Sequence, residues 1–202
     1  MAQSISPPQP QSDWLFTLDF KSVRLTAEQF RRLCQDNPDF RLELTSRGEL
    51  IVMPPTGSKT GLRNCILTSQ LAQWAEADRS GFAFDSSTGY TLPNGAVRSP
   101  DASWIRRERW ERLSEEQQES FAPICPDFVI ELLSPADILR TVQEKMREYI
   151  ENGLELGFLI DPFQRQVFVY SARQSVVVLQ RPEIVSGEPV LSGFALKLIE
   201  FW

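Results

Sequence analysis

The sequence predicts an α/β protein, a mixed β-sheet flanked by α-helices. Three observations carry that expectation. Two long proline-free stretches, 58–79 and 136–152, have helical spacing of apolar residues. One short stretch, Phe128–Leu133, is nearly all apolar, as a central buried strand is. Long helices fall between strands, an order that places helices on the faces of a mixed sheet.

The elements follow in order. Residues 1–12 are Pro, Ser and Gln with almost no large apolar groups and read as a disordered tail. With no linker or repeat after it, residues 13–202 read as a single domain. Thr26 can cap a short helix, with Gln29 completing a capping box and Phe30 and Leu33 on its apolar side. Phe40, Leu42 and Leu44 alternate with Arg41, Glu43 and Thr45, which is a strand. Ser46-Arg47-Gly48 turns the chain into a second strand, Glu49–Met53, stopped by Pro54-Pro55. Residues 58–79 form the long helix, with apolar positions 62, 65, 66, 71, 74 and 75. Phe82 to Ile105 is β-rich with a turn at Pro93-Asn94-Gly95, and 106–119 is charged and helix-prone. After Phe128–Leu133, Ser134-Pro135 breaks the strand, and a helix runs from about Ala136 to Asn152 with Gly153 as its stop. Strands Leu156–Ile160, Val167–Tyr170 and Val176–Leu179 follow, and the segment 191–202 is apolar enough to dock.

Composition narrows the function. Of 202 residues, 42% are hydrophobic and 24% charged, an ordinary globular balance. Such a chain can bury roughly 70% of its unfolded surface. No apolar run approaches a membrane span, and the start shows no signal-peptide pattern. The three cysteines, Cys34, Cys65 and Cys125, match no zinc or redox spacing and read as reduced, mostly buried thiols of a cytoplasmic protein. The chain has no histidine, so a Ser-His-Asp triad, a Cys-His pair and a histidine-ligated zinc are excluded. Its acid–base groups must be carboxylate, lysine, tyrosine or thiol, or it must use a metal with oxygen ligands. The net charge of −6 argues against a generic nucleic-acid coat but not against a nuclease, whose metal-holding carboxylates add negative charge.

Four residues stand out. Glu131 lies inside the most apolar strand, on the face of Val129 and Leu133. A buried carboxylate is costly unless paired or holding a metal, so it is either a structural glutamate satisfied by an arginine or a ligand. Lys145 lies about 20° from Ile138 and about 40° from Tyr149 around its helix, inside the core-facing stripe. Taken alone it reads as a snorkelling lysine. Asp101 opens the short strand Asp101–Ile105; taken alone it is a turn residue. Glu43 lies on the polar side of the first hairpin strand, where a solvent-exposed glutamate is the ordinary reading. Together, Asp101, Glu131 and Lys145 suit a metal-dependent hydrolase. Two carboxylates hold Mg²⁺ or Mn²⁺, the metal polarises a phosphodiester and activates water, and the lysine orients that water or stabilises the transition state.

The chain resembles the Uma-two family of candidate restriction endonucleases, within the PD-(D/E)xK nuclease superfamily, over about residues 25–200. The matching landmarks are Leu42-Glu43-Leu44, Gly48-Glu49-Leu50, Met53-Pro54-Pro55, Ser99-Pro100-Asp101, Pro126 through Pro135, Lys145 with Tyr149, Gly153, Phe158 through Pro162, and Val167 through Tyr170. The resemblance implies a restriction-endonuclease-like fold. It implies Asp101 and Glu131 as metal ligands, Lys145 as the catalytic lysine and Glu43 as an accessory acidic residue. The superfamily's usual lysine follows the glutamate by two residues. Here that position is Leu133, and the lysine has moved to the next helix. Relatives often carry a histidine early in the long helix, where this chain has Gly57 through Arg63. Its role is absent or passes to Lys59 or Arg63.

DNA is the expected partner and a homodimer the expected assembly, since two-fold symmetry suits cutting both strands of a duplex. Arg98, Arg106, Arg107, Arg109 and Arg112 flank Asp101 and are candidate phosphate contacts, against the alternative of a solvated charged helix. Trp104 and Trp110 read as packing groups. Two other readings stand beside the nuclease: a catalytically silent binding or regulatory protein with the same fold, and a Glu131–Lys145 pair that is only structural.

Overall fold

The computed structural model describes residues 16–20, 22–23, 25–53, 55–199 and 201–202. The expected tail, 1–12, lies outside the described residues, as does Pro54 of the expected strand stop. The described chain begins with β1 (Phe16–Asp19), α1 (Ala27–Asp36), β2 (Arg41–Leu44), β3 (Glu49–Met53) and α2 (Ser58–Asp78). Four strands follow: β4 (Gly81–Asp85), β5 (Tyr90–Thr91), β6 (Val97–Arg98) and β7 (Ala102–Arg106). Two single helical turns, α3 (Arg107–Trp110) and α4 (Glu115–Gln118), lead to β8 (Phe128–Leu132) and α5 (Leu139–Glu151). The chain ends with β9 (Leu156–Asp161), β10 (Gln166–Ser171), β11 (Val177–Gln180), β12 (Ile184–Ser186) and β13 (Ala195–Lys197).

The central sheet has the order β11-β10-β9-β8-β7-β4. Its β8–β9 pair is parallel and the other pairs are antiparallel, so the sheet is mixed, as expected. A parallel pair needs a crossover, and α5 is that crossover. A second, antiparallel sheet has the order β1-β3-β2-β6-β5, and β12 pairs with β13.

Strand alternation explains the layers. All five residues of β8 are buried. Phe128, Ile130 and Leu132 face α2, where Leu67, Leu71 and Ala75 meet them. Val129 faces the other way, onto Met146 and Tyr149 of α5. Each such side chain contributes roughly 1.5–3 kcal/mol on full burial. α1 covers the second sheet instead, packing Phe30 on Leu42, Leu44, Leu50 and Val97. The Thr26–Gln29 capping box forms as its sequence predicts. Gly153 takes φ 106°, the left-handed conformation that ends α5.

Several expectations need correction. The buried residues of α2 are Thr60, Arg63, Leu67, Leu71 and Ala75, whereas Leu62 and Cys65 are exposed. The α5 stripe begins at Leu139, because Asp137 accepts the Ser134 amide at 2.7 Å and holds 134–137 in a turn. The stretch 106–119 forms two single turns rather than one helix. Neither β1 nor the β12–β13 pair is evident from the sequence pattern, although 191–202 docks as expected, with Phe194, Leu198 and Phe201 in the core. The cysteines are free, but Cys65 is exposed. Among the described residues, no helix is long and apolar enough to cross a membrane.

Candidate active site

The site forms where α5 meets both sheets at the C-terminal end of β8. The antiparallel register pairs Ala102 with Ile130, so Asp101, one residue before β7, falls opposite Glu131. Asp101 Oδ2 accepts the Leu132 amide at 2.8 Å, which continues the ladder through a side chain. Its Oδ1 accepts Asn64 Nδ2 at 3.1 Å, and Arg41 Nη1 stands 3.6 Å from the same oxygen. Asp101 is therefore fixed from three directions and is no idle turn residue.

Glu131 is only 6% exposed, on the face that α5 covers. Lys145 Nζ reaches Glu131 Oε1 at 2.7 Å and Glu43 Oε1 at 2.8 Å. Tyr149, one turn on, donates its hydroxyl to Glu131 Oε1 at 3.1 Å. Both contacts with Glu131 fall on Oε1. The Lys145 stripe argument therefore has a partner: the lysine points inward because two carboxylates wait there. A snorkelling lysine would point the other way.

Glu43 is 2% exposed, which corrects the expectation of a solvated glutamate. Its neighbours Leu42 and Leu44 face α1, so the polar side of β2 faces the site and not water. Glu43 Oε1 accepts the Ser99 amide at 2.9 Å, and Oε2 accepts Arg98 Nη1 at 3.0 Å. Arg98 in turn donates to Glu148 of α5 at 2.7 Å, and Glu148 accepts from Ser46 and Asn94. This network ties the second sheet to α5. Arg98 and Glu148 lie 50 positions apart, and nothing in their local sequence signals the pairing.

The charges divide unequally. Burial raises the carboxyl of Glu43, but Lys145, Arg98 and the Ser99 amide outweigh it and bring it down to about 2. For Glu131 burial prevails over Lys145, helped by Asp101 and Glu43, and pushes it up to about 7. Lys145 is disfavoured by burial yet raised overall by Glu131 and Glu43, so it remains an ammonium. Burial, then Glu131, raises Tyr149 well above the usual phenol range, so it remains a neutral donor.

The arginines behave differently from the phosphate contacts expected of them. Arg98 is buried and spent on Glu43 and Glu148. Arg106 and Arg109 both bind buried Asp127, and Arg107 binds Glu111, all at the far end of β7 from Asp101. From α2, Lys59 is exposed and Arg63 is bound to the Phe201 carbonyl at 3.3 Å, so Asn64 is the residue that touches Asp101. Trp104 and Trp110 pack in the core, as expected. The site opens into a groove of about 1410 Å³ whose wall includes Lys59, Arg147, Asp101 and Glu131.

A mixed sheet with helices on both faces, carrying opposed carboxylates and a lysine at one strand end, defines an α/β protein of restriction-endonuclease-like fold. The Uma2 family, described as "putative restriction endonuclease", matches residues 27–198, and the chain belongs to that family. Among solved structures it is similar to "a putative nuclease belonging to DUF820" from Anabaena variabilis ATCC 29413. The TM-score is 0.73 and the identity 24%, over 87% of this chain and 96% of that one, a likeness of fold. No curated protein matches the chain.

The donor set suits a hard cation. Asp101 and Glu131 offer oxygen, and no histidine or thiol competes. Among the described residues, no group of three His, Cys, Asp or Glu is placed to hold a metal. Two carboxylates therefore fit Mg²⁺ or Mn²⁺ that keeps water ligands, and they fit Zn²⁺ poorly.

Proposed function

We propose that this chain is a Mg²⁺- or Mn²⁺-dependent DNA endonuclease that hydrolyses phosphodiester bonds, with its catalytic lysine on α5. The observation that carries the reading is Lys145, a partly buried ammonium 2.7 Å from Glu131, whose strand partner position holds Asp101. Asp101 and Glu131 are the residues that hold the metal. When bound, that cation supplies charge to the phosphate and lowers the pKa of water. Lys145 orients the attacking water or donates hydrogen bonds to the phosphorane oxygens as charge develops there. Glu43 is saturated by Lys145, Arg98 and Ser99, so its role is to aim Lys145 and anchor the segment before Asp101. Tyr149 fixes the rotamer of Glu131. Exposed Lys59 and Arg147 on the groove wall are the cations placed to meet the DNA backbone. The protein acts in the cytoplasm, and a homodimer serves double-strand cleavage.

The test is plasmid cleavage. Wild type is expected to nick supercoiled DNA with Mg²⁺ or Mn²⁺ and not with chelator. Glu131→Ala and Lys145→Ala are expected to lose at least about 100-fold, the lower range for removing one such group. The 2.7 Å Lys145–Glu131 contact also supports a second reading, an ion pair that is only structural. Under that reading the Glu131→Gln, Lys145→Met double variant folds and every measured function survives. Loss of cleavage in the folded double variant excludes it.

A further inference from the structure

Three buried side-chain polar atoms among the described residues have no hydrogen-bond partner: Arg41 Nε, Asn64 Oδ1 and Trp104 Nε1. Such atoms are costly, and each calls for an explanation. Two of the three belong to side chains that converge on Asp101 Oδ1: Asn64 through Nδ2 at 3.1 Å, and Arg41 through Nη1 at 3.6 Å. The unused acceptor therefore belongs to a side chain that already touches Asp101, one of the two residues proposed to hold the metal. Asn64 projects from the first turns of α2, and both Asn64 and Asp101 line the groove.

We infer that Asn64 is a third oxygen donor of the metal site, a residue that binds the cation directly or through one of its waters. The inference rests on the metal-dependent reading of Asp101 and Glu131. A hard cation needs six or more oxygens, and two carboxylates leave most of that shell to others. An amide oxygen is a suitable neutral ligand and adds no charge to a site where Asp101, Glu131 and Glu43 already repel one another. In the metal-free arrangement the amide N–H₂ braces Asp101 and leaves Oδ1 without a partner. A cation, or a water bound to it, supplies the partner that Oδ1 lacks.

The discriminating experiment follows Mn²⁺ binding, by calorimetry and by thermal melting, in wild type, Asn64→Leu and Asn64→Asp. Wild type is expected to bind Mn²⁺ and to melt higher with it than in chelator. Asn64→Leu is expected to bind at least about tenfold more weakly. Asn64→Asp loses the N–H₂ brace and places a second carboxylate against Asp101, so its melt in chelator should fall. It keeps the oxygens, so its Mn²⁺-dependent rise in melting temperature should exceed that of wild type. That crossing of the two effects is the signature of a ligand. If Asn64 merely braces Asp101, Asn64→Asp is weaker in both conditions and gains no more from Mn²⁺ than wild type does, which overturns the inference. Equal Mn²⁺ affinity in wild type and Asn64→Leu overturns it too. Should Asn64→Leu fail to fold, the Asn64→Asp comparison decides alone. No Mn²⁺ binding by wild type defeats the metal-dependent reading and this inference with it. Binding by wild type with an indifferent Asn64 defeats the inference alone.

Discussion

Glu43 and Glu131 share one lysine, yet their carboxyls move in opposite directions. The difference is how many cations each can claim. Glu43 has Lys145, Arg98 and a backbone amide, whereas Glu131 has Lys145 and a neutral phenol. The consequences for stability are opposite in sign. Glu43 lies below its ordinary 4.5 when folded, at about 2, so the unfolded chain takes the proton first on acidification. Its contribution is present above pH 4.5 and lost as pH falls toward about 2. Glu131 lies above 4.5 when folded, at about 7, so the native state holds the extra proton between those values. Its contribution is present below pH 4.5 and lost as pH rises through about 7. Urea unfolding across pH in chelator should therefore show a shallower acid limb for Glu43→Gln. The same titration of Glu131→Gln should lose the decline between pH 4.5 and about 7. Identical pH curves for wild type and both variants would refute the unequal sharing. In the sequence, the burial of Glu131 was legible because its neighbours are apolar. The burial of Glu43 was not, because alternation reports which side of a strand a residue takes and not what covers that side.

α5 is the element on which the site depends, since it carries Lys145 and, one turn on, Glu148 and Tyr149. It is held from below by close packing on β9. A Cβ at Gly157 would stand 2.5 Å from the Met146 methyl carbon, 2.9 Å from a Leu154 methyl carbon and 3.3 Å from a Val129 methyl carbon. All three atoms are side-chain ends, and Met146 is fully buried, so it can yield only by repacking its neighbours. Gly157→Ala should then lift α5 and cost about 1–3 kcal/mol, read by urea denaturation. It should also lower cleavage more than its stability loss predicts, because the lift moves Lys145. A variant as stable and as active as wild type would mean that Met146 absorbs the methyl. The helical stripe announced α5 and placed Lys145 on its inner side. The clamp from Arg98 to Glu148 was silent, because two charges 50 residues apart carry no periodic signal.

The whole molecule carries a net charge of −6, and its strongest basic residues are spent internally. A surface of this kind repels DNA at long range. Under the proposed function, a divalent cation in the groove should be needed for binding as well as for cleavage. Fluorescence anisotropy with a labelled duplex at about 150 mM salt should show little association in chelator and clear association with Ca²⁺, a hard cation used here for binding alone. Equal binding in both would show that side-chain cations suffice and that the metal serves chemistry only. At this scale the sequence by itself determined the α/β class, the central strand, the order of the long helices and the candidates Asp101, Glu131 and Lys145. Periodicity, an apolar run and a charge where none belongs are local signals, whereas Asp101 stands out only through its combination with Glu131 and Lys145 and through the family resemblance. The tertiary structure decided the division into a central sheet, a second sheet and the β12–β13 pair, the inward turn of Glu43, the arrival of Asn64 at Asp101 and the removal of Arg106, Arg107 and Arg109 from the site. Each of those depends on contacts between residues distant in the chain. The free energy of a buried charge is set by its spatial neighbours, which a one-dimensional pattern does not specify.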